Sequence, residues 1–345
     1  MSASHYSLDT AITEFFSKTS TTRELCDSKA IDLAGGKIAP VEVQGNCSYS
    51  VYAGPKLEFV VQFRLKSLVL KTEIADLARK IYGSLAPSSS FHGEMGHSDK
   101  EPVLVYLMDR VQGISHLDFI LSHDSPDNSD ENFVWRKTLM KDVGHFFALS
   151  WKAPQEADLA YRQNLRREYF TDLQLLLDSL PARFHPSIQK CLDSIEEVLS
   201  LPMILLHRDF GTCNIMVDEK SCHLTGVIDW AEAEICPFGQ NLHSLQALTG
   251  KLHLKNGWRQ YKGYEALWDT FWSTFQSEVG GLSAETVKTI KIARTMGLLL
   301  SHGFTKRLAN MTPATPIRDD EIGRYNMLYL DGFLINPSTR FNDLN

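Results

Sequence analysis

The stretch "LLHRDFGTCNIMVD", residues 205–218, sets His207, Arg208, Asp209 and Asn214 between two apolar runs, and "HLTGVIDW" (223–230) follows with Asp229 at the exit of a third. Short apolar runs bounded by Gly, Asn and Asp read as strands, so the segment predicts a strand, a polar loop, a short strand and a second strand. An Asp followed five positions later by an Asn, then by an Asp at a strand end, is the residue set that phosphoryl transfer uses. In that reading Asp209 orients or deprotonates an attacking hydroxyl, while Asn214 and Asp229 hold magnesium, since amide and carboxylate oxygens are the hard ligands this ion prefers.

Outward from this stretch the second part of the chain is helical. Residues 133–151, 166–180, 186–200, 263–279 and 284–302 carry apolar side chains at i, i+3 and i+4 spacing. Toward the N-terminus the pattern changes to strands. "VEVQGNCSYSVYAG" (41–54) and "KLEFVVQFRL" (56–65) flank Gly54-Pro55 as a hairpin would. A helix follows, with Leu70, Ile74, Leu77, Ala78 and Ile81 on one face and Gly83 at its stop; then comes an exposed loop at 88–102 and a strand "VLVYLM" at 103–108. The expected fold class is α+β and bilobal: a strand-rich N-terminal lobe, 1–108, and a larger helical C-terminal lobe, 109–345, within one domain and with a cleft between lobes.

The motifs H-R-D-x-x-x-x-N and I-D-W resemble those of the protein-kinase-like superfamily, and within it the aminoglycoside phosphotransferase and choline kinase branch. The resemblance extends over roughly residues 40–245: "GNCSYSVY" is similar to the nucleotide-covering loop, "FVVQFR" to the third strand, "VYLMDRVQG" to the hinge and "GVIDWAEAEICPFG" to the magnesium loop. The closing "NMLYLDGFLI" resembles fungal small-molecule phosphotransferases of this branch. The resemblance implies a kinase-like fold and ATP- and magnesium-dependent phosphorylation of a hydroxyl on a small metabolite.

It also implies roles in the N-terminal lobe, where the sequence departs from pattern. The third strand carries Gln62 where a Lys or Arg is usual. Strand alternation turns Gln62 and Arg64 to the same side, so Arg64 can supply the cation, with Glu73 as its helix partner, about 40° around the helix from Leu77. Gly45, Asn46 and Ser48 offer phosphate donors, though a plain hairpin turn accounts for them equally. Met108, Asp109 and Arg110 would present hinge backbone to adenine, with Tyr106 behind it. Glu232 and Glu234 are either a solvated acidic face or the carboxylates that prefer an amine-bearing acceptor. His207 reads as loop support, Arg208 as an unusual residue that can cap the loop. His207, Cys213, Cys222, His223 and Cys236 match no common zinc spacing. If Gln62 marks lost phosphate binding, the chain is a silent nucleotide- or ligand-binding pseudokinase; a repurposed biosynthetic enzyme on the same fold is a separate alternative. No A-P-E segment follows the magnesium Asp, which argues against a protein kinase.

Composition narrows the partners. The 345 residues carry a net charge of −7 and a pI near 5.9, with no run of basic residues, so nucleic acid is not expected. No apolar stretch has the length of a membrane span, and the six scattered cysteines suit a reducing compartment. The expectation is a cytoplasmic protein with no membrane partner.

Overall fold

Gly54, at φ +104°, turns the chain between two antiparallel strands, and Pro55 follows with its own φ preset for a turn. The structure is a computed structural model that describes residues 6–45, 47–97, 99–123, 126–305 and 313–341. The described residues form two compact units, one through Gln112 and one from Gly113 onward.

The N-terminal unit opens with two helices that the strand-like reading of this region did not include, α1 (Leu8–Ser17) and α2 (Arg23–Ala34), capped by the Ser7 and Thr22 hydroxyls. A five-stranded antiparallel sheet follows: β1 (Lys37–Pro40), β2 (Ser48–Gly54), β3 (Phe59–Leu65), then helix α3 (Thr72–Tyr82), β4 (Ser89–Met95) and β5 (Val103–Asp109), in spatial order β1-β2-β3-β5-β4. Tyr49, Val51, Ala53, Val61, Phe63, Leu65, Val103 and Val105 alternate onto one face and form a core with Ile12, Phe15, Cys26 and Ala30 of the two helices.

Two expectations need correction here. The stretch 88–102 is not all loop, because β4 runs through it as an edge strand; it is mostly polar and is irregular between Phe91 and Glu94, features that conceal a strand in composition. The face α3 buries is Ala75, Ala78 and Tyr82, with Leu77 only half-buried. At 100° per residue Glu73 then lies roughly opposite that stripe and is exposed. Gly83 does end the helix, at φ +59°.

The C-terminal unit begins with β6 (Ile114–Ser115) and α4 (His116–Ser122), then the long helices α5 (Asp130–Lys152) and α6 (Leu159–Ser179). The periodic stretch 186–200 is two short helices, α7 (His185–Asp193) and α8 (Ile195–Leu199), parted at Ser194. Strands β7 (Met203–Leu206), β8 (Ile215–Val217), β9 (Leu224–Val227) and β10 (Glu234–Pro237) carry the opening motif; α9 (Gln246–Thr249), the hairpin β11 (Gly250–His253) and β12 (Gly257–Gln260), and helices α10 (Tyr264–Val279), α11 (Ala284–His302) and α12 (Arg324–Leu330) complete the unit. Its core is strongly aromatic: Phe147 meets Phe210, Phe238 and Phe271 edge-on at ring-centroid distances of 5.2, 6.2 and 5.9 Å. Among the described residues no helix is long and apolar enough to cross a membrane.

Helix α11 bears directly on the site. Its Gly297 passes so close to the 240s segment that an added Cβ would stand 1.7 Å from the Gln240 carbonyl oxygen. Gly297→Ala would gain helix propensity on an open surface but is expected to destabilise this protein by about 2–3 kcal/mol, as overpacking against backbone does, measurable by urea denaturation.

Candidate active site

Along β7 every side chain is buried, and the chain leaves it as buried His207, exposed Arg208, exposed Asp209, buried Phe210. The two buried residues hold the loop. Phe210 packs against Phe146 and Phe147 of α5, at 5.5 and 5.2 Å between ring centroids. His207 donates from Nε2 to the Ile228 carbonyl at 2.8 Å and meets the Trp230 ring edge-on at 4.8 Å. Burial lowers its pKa, so the ring is neutral, with the proton on Nε2. His207 therefore supports the loop. Behind it, Asn241 Nδ2 donates to the His207 carbonyl at 3.3 Å.

With its neighbours anchored, Asp209 is turned toward solvent, and β8 and β9 bring the other two polar residues to it. These strands pair antiparallel with Ile215 opposite Val227, and the Ile228 N–H donates to the Asn214 carbonyl at 3.0 Å. Asn214 and Asp229 thus emerge at the same end of the hairpin. The Asn214 amide nitrogen donates to the Asp209 carbonyl at 2.8 Å and to Asp209 Oδ2 at 2.9 Å. Both contacts use nitrogen, so the side-chain oxygen is the atom Asn214 has to offer a cation. Asp229 is exposed and stands in the left-handed region, φ 61° and ψ 65°, a conformation Asp tolerates better than most residues and one that clusters at functional sites. An amide oxygen and two carboxylates near one hairpin end fit a magnesium ion.

The carboxylate of Asp209 has a raised pKa, first because surrounding protein removes part of its hydration and further because the Asp229 charge is near; His207 and the Asn214 hydrogen bond oppose the shift.

The two acidic candidates differ. Glu232 is exposed in the 3-10 turn Trp230–Glu232. Glu234 opens β10, and its carboxylate is ion-paired with the Arg208 guanidinium and accepts from the Cys236 thiol at 3.2 Å. Sequence reasoning noted Arg208 and Glu234 separately; only β10, which periodicity does not disclose in four residues, joins them.

In the N-terminal unit the cross-strand register sets Ser48 opposite Arg64 and Arg64 opposite Leu104, and Ser50 opposite Gln62 and Gln62 opposite Tyr106. Ser48, Gln62 and Arg64 therefore share the sheet face away from the helical core. Arg64 is buried, with Nε donating to the Leu68 carbonyl, while Gln62 Nε2 reaches Ser50 Oγ at 3.4 Å. Tyr106 accepts from the Leu70 N–H at 3.2 Å; burial raises its pKa, and the charges of Arg64 and Glu73 act on it in opposite directions. Asn46 lies outside the described residues.

The backbone N–H is already bonded at two of the three hinge residues. The Asp109 N–H donates to the Ser88 carbonyl at 3.3 Å and the Arg110 N–H to the Glu58 carbonyl at 2.9 Å, because β5 is flanked on both sides. Met108 is likewise registered against Val60 and Ser89. The Arg110 side chain covers the Tyr52 ring at 3.7 Å.

Residues 48–267 match the model of the phosphotransferase enzyme family. Among solved structures, the chain is similar to a protein from Ralstonia eutropha described as a candidate aminoglycoside phosphotransferase, at 12% identity over 81% of this chain and 88% of that one, with a TM-score of 0.51. A choline kinase from Streptococcus pneumoniae aligns at 12% identity over 88% and 96% of the two chains, TM-score 0.45. An aminoglycoside phosphotransferase from Streptomyces rimosus, in complex with ADP and streptomycin, aligns at 13% identity over 80% and 99%, TM-score 0.44. No curated protein matches the chain.

The raised Asp209 pKa carries a sign. A carboxyl whose folded pKa lies above its ordinary 3.8 stabilises the fold fully only below that value, and the contribution is lost as pH rises through the folded pKa. Asp209→Asn, which keeps an acceptor for Asn214 without the charge, is expected to melt above wild type at pH 7, with the difference closing as the pH falls toward 4 in a calorimetric series.

Proposed function

The chain belongs to the phosphotransferase enzyme family, and from that membership we propose that it transfers the γ-phosphoryl group of ATP to a hydroxyl of a small metabolite, with magnesium. The observation that carries the proposal is the pair of Asn214 hydrogen bonds to Asp209, which leaves the amide oxygen to face a cation at the hairpin end shared with Asp229. Bound there, magnesium would neutralise charge on the phosphate oxygens of the nucleotide. Asn214 and Asp229 hold it. Asp209 accepts a hydrogen bond from the acceptor hydroxyl and takes its proton as the new O–P bond forms and the bond to the departing ADP oxygen breaks. Its raised pKa suits a group that must gain a proton in that step. Ser48 and Arg64 bind phosphate oxygens, and Gln62 is a neutral neighbour on the same face. Met108, with its flanking backbone, marks the adenine edge. Glu232 is the carboxylate left to meet an amine on the acceptor, since Glu234 is paired.

A second reading, a silent nucleotide- or ligand-binding module, is favoured by three features of the N-terminal unit: Gln62 in place of a cation, Arg64 Nε held by the Leu68 carbonyl, and hinge N–H groups already bonded within the sheet.

Three variants separate the readings. Asp229→Ala is expected to abolish magnesium-dependent ATP binding in calorimetry while the protein stays folded. Arg64→Ala should weaken that binding far more than Gln62→Ala, because a charge-assisted contact to phosphate is about twice as strong as a neutral one; equal, negligible effects would favour the silent module. Asp209→Asn should leave nucleotide affinity nearly unchanged and lower acceptor-dependent ADP formation by about 10² to 10⁴, the usual worth of a positioned base. Acceptor-dependent turnover that survives Asp209→Asn would refute the assignment.

A further inference from the structure

Arg208 and Glu234 face each other from opposite ends of the site. Arg208 immediately precedes Asp209; Glu234 is the first residue of the strand that leaves the Asp229 turn, registered against Leu206 in β7. Their ion pair joins the entry of the Asp209 loop to the exit of the Asp229 turn, beside the His207–Ile228 bond that joins the same two segments one residue before Asp229. The Cys236 thiol donates to Oε1 of Glu234, the same carboxylate oxygen that meets Arg208. Both side chains are a little over one-third exposed, at 35% and 39%, so the pair is open enough to be broken without leaving a buried charge.

We propose that Arg208 and Glu234 are positioning residues that tie the catalytic loop to β10 and so aim the Asp209 carboxylate, and that neither binds phosphate or acceptor. Three contacts restrain the loop start: Ile228 through His207, Asn241 through the His207 carbonyl, and Glu234 through Arg208. Of these only the last is a charge pair between side chains, and it acts on the residue before Asp209, as the packing of Phe210 does on the residue after it. The kinetic consequence rests on the phosphotransfer reading; the mechanical one does not.

The test uses the full chain as Arg208→Gln, Glu234→Gln and the exchanged pair Arg208→Glu with Glu234→Arg. In each single variant, amide exchange over residues 208–214 should rise about tenfold while the rest of the C-terminal unit keeps its protection. Melting should shift by no more than about 3 °C, since a half-exposed pair contributes little to global stability. With an acceptor found, kcat should fall about tenfold and the KM for MgATP should stay within about twofold, a split that loss of nucleotide binding would not give. The exchanged pair should bring exchange and kcat back to within about threefold of wild type. Unchanged exchange in both single variants overturns the proposal, as does an exchanged pair that behaves like the singles. A Glu234→Gln variant that raises the KM of an amine acceptor with exchange unaltered also overturns it, by making Glu234 an acceptor ligand. The expected exchange pattern in a protein without any acceptor-dependent turnover would uphold the tie and remove the phosphotransfer reading.

Discussion

The amide of Asn214 gives its nitrogen to Asp209 twice, to the backbone carbonyl and to the carboxylate. That arrangement fixes which end of the amide is available to a cation and holds the Asp209 carboxylate at a set distance from the β8–β9 hairpin. Everything near it serves to keep it in place. Phe210 and His207 bury themselves on either side, the aromatic core on α5 receives the first, and the Ile228 carbonyl receives the second. A polar loop of eight residues is thereby held by its own side chains, which reach an apolar core, a backbone carbonyl and one another.

The two units contrast in how tightly their polar residues are engaged. In the C-terminal unit, Asp209, Asp229 and Glu232 are exposed. In the N-terminal unit, Arg64 is buried and bonded to the Leu68 carbonyl, and the hinge donors at 109 and 110 complete the sheet. Nucleotide binding on that face would exchange some of these bonds for contacts with phosphate, so affinity there would be a difference between two hydrogen-bonded states.

The placement of Asp209, Asn214 and Asp229 at strand ends was legible because strand, loop and hairpin each leave a local signal: apolar runs bounded by Asp and Asn need no long-range information. The long helices at 130–152, 159–179, 264–279 and 284–302 were legible for the same reason. What was not legible depends on pairing. β10 is four residues long and β4 is a polar edge strand, so neither has a periodicity of its own, and the Arg208–Glu234 pair exists only because β10 lies beside β7. The face of α3 was read correctly at Ala78 and misjudged at Leu77, which outranks Ala75 in hydrophobicity, yet small residues are the ones that permit close packing. The N–H bonds at 109 and 110 were not legible because strand neighbours on both sides cannot be read from a single strand.

The backbone at Asp229 has one more implication. A left-handed residue that follows a β-strand leaves room for few side chains: β-branched types are strained there, and Gly, Asn and Asp are the residues that accept it readily. Of those three only Asp also brings a negative charge. The tolerance of this position to random substitution would therefore separate two kinds of demand on one residue, with Gly and Asn retained where folding alone is selected and lost where the charge is required.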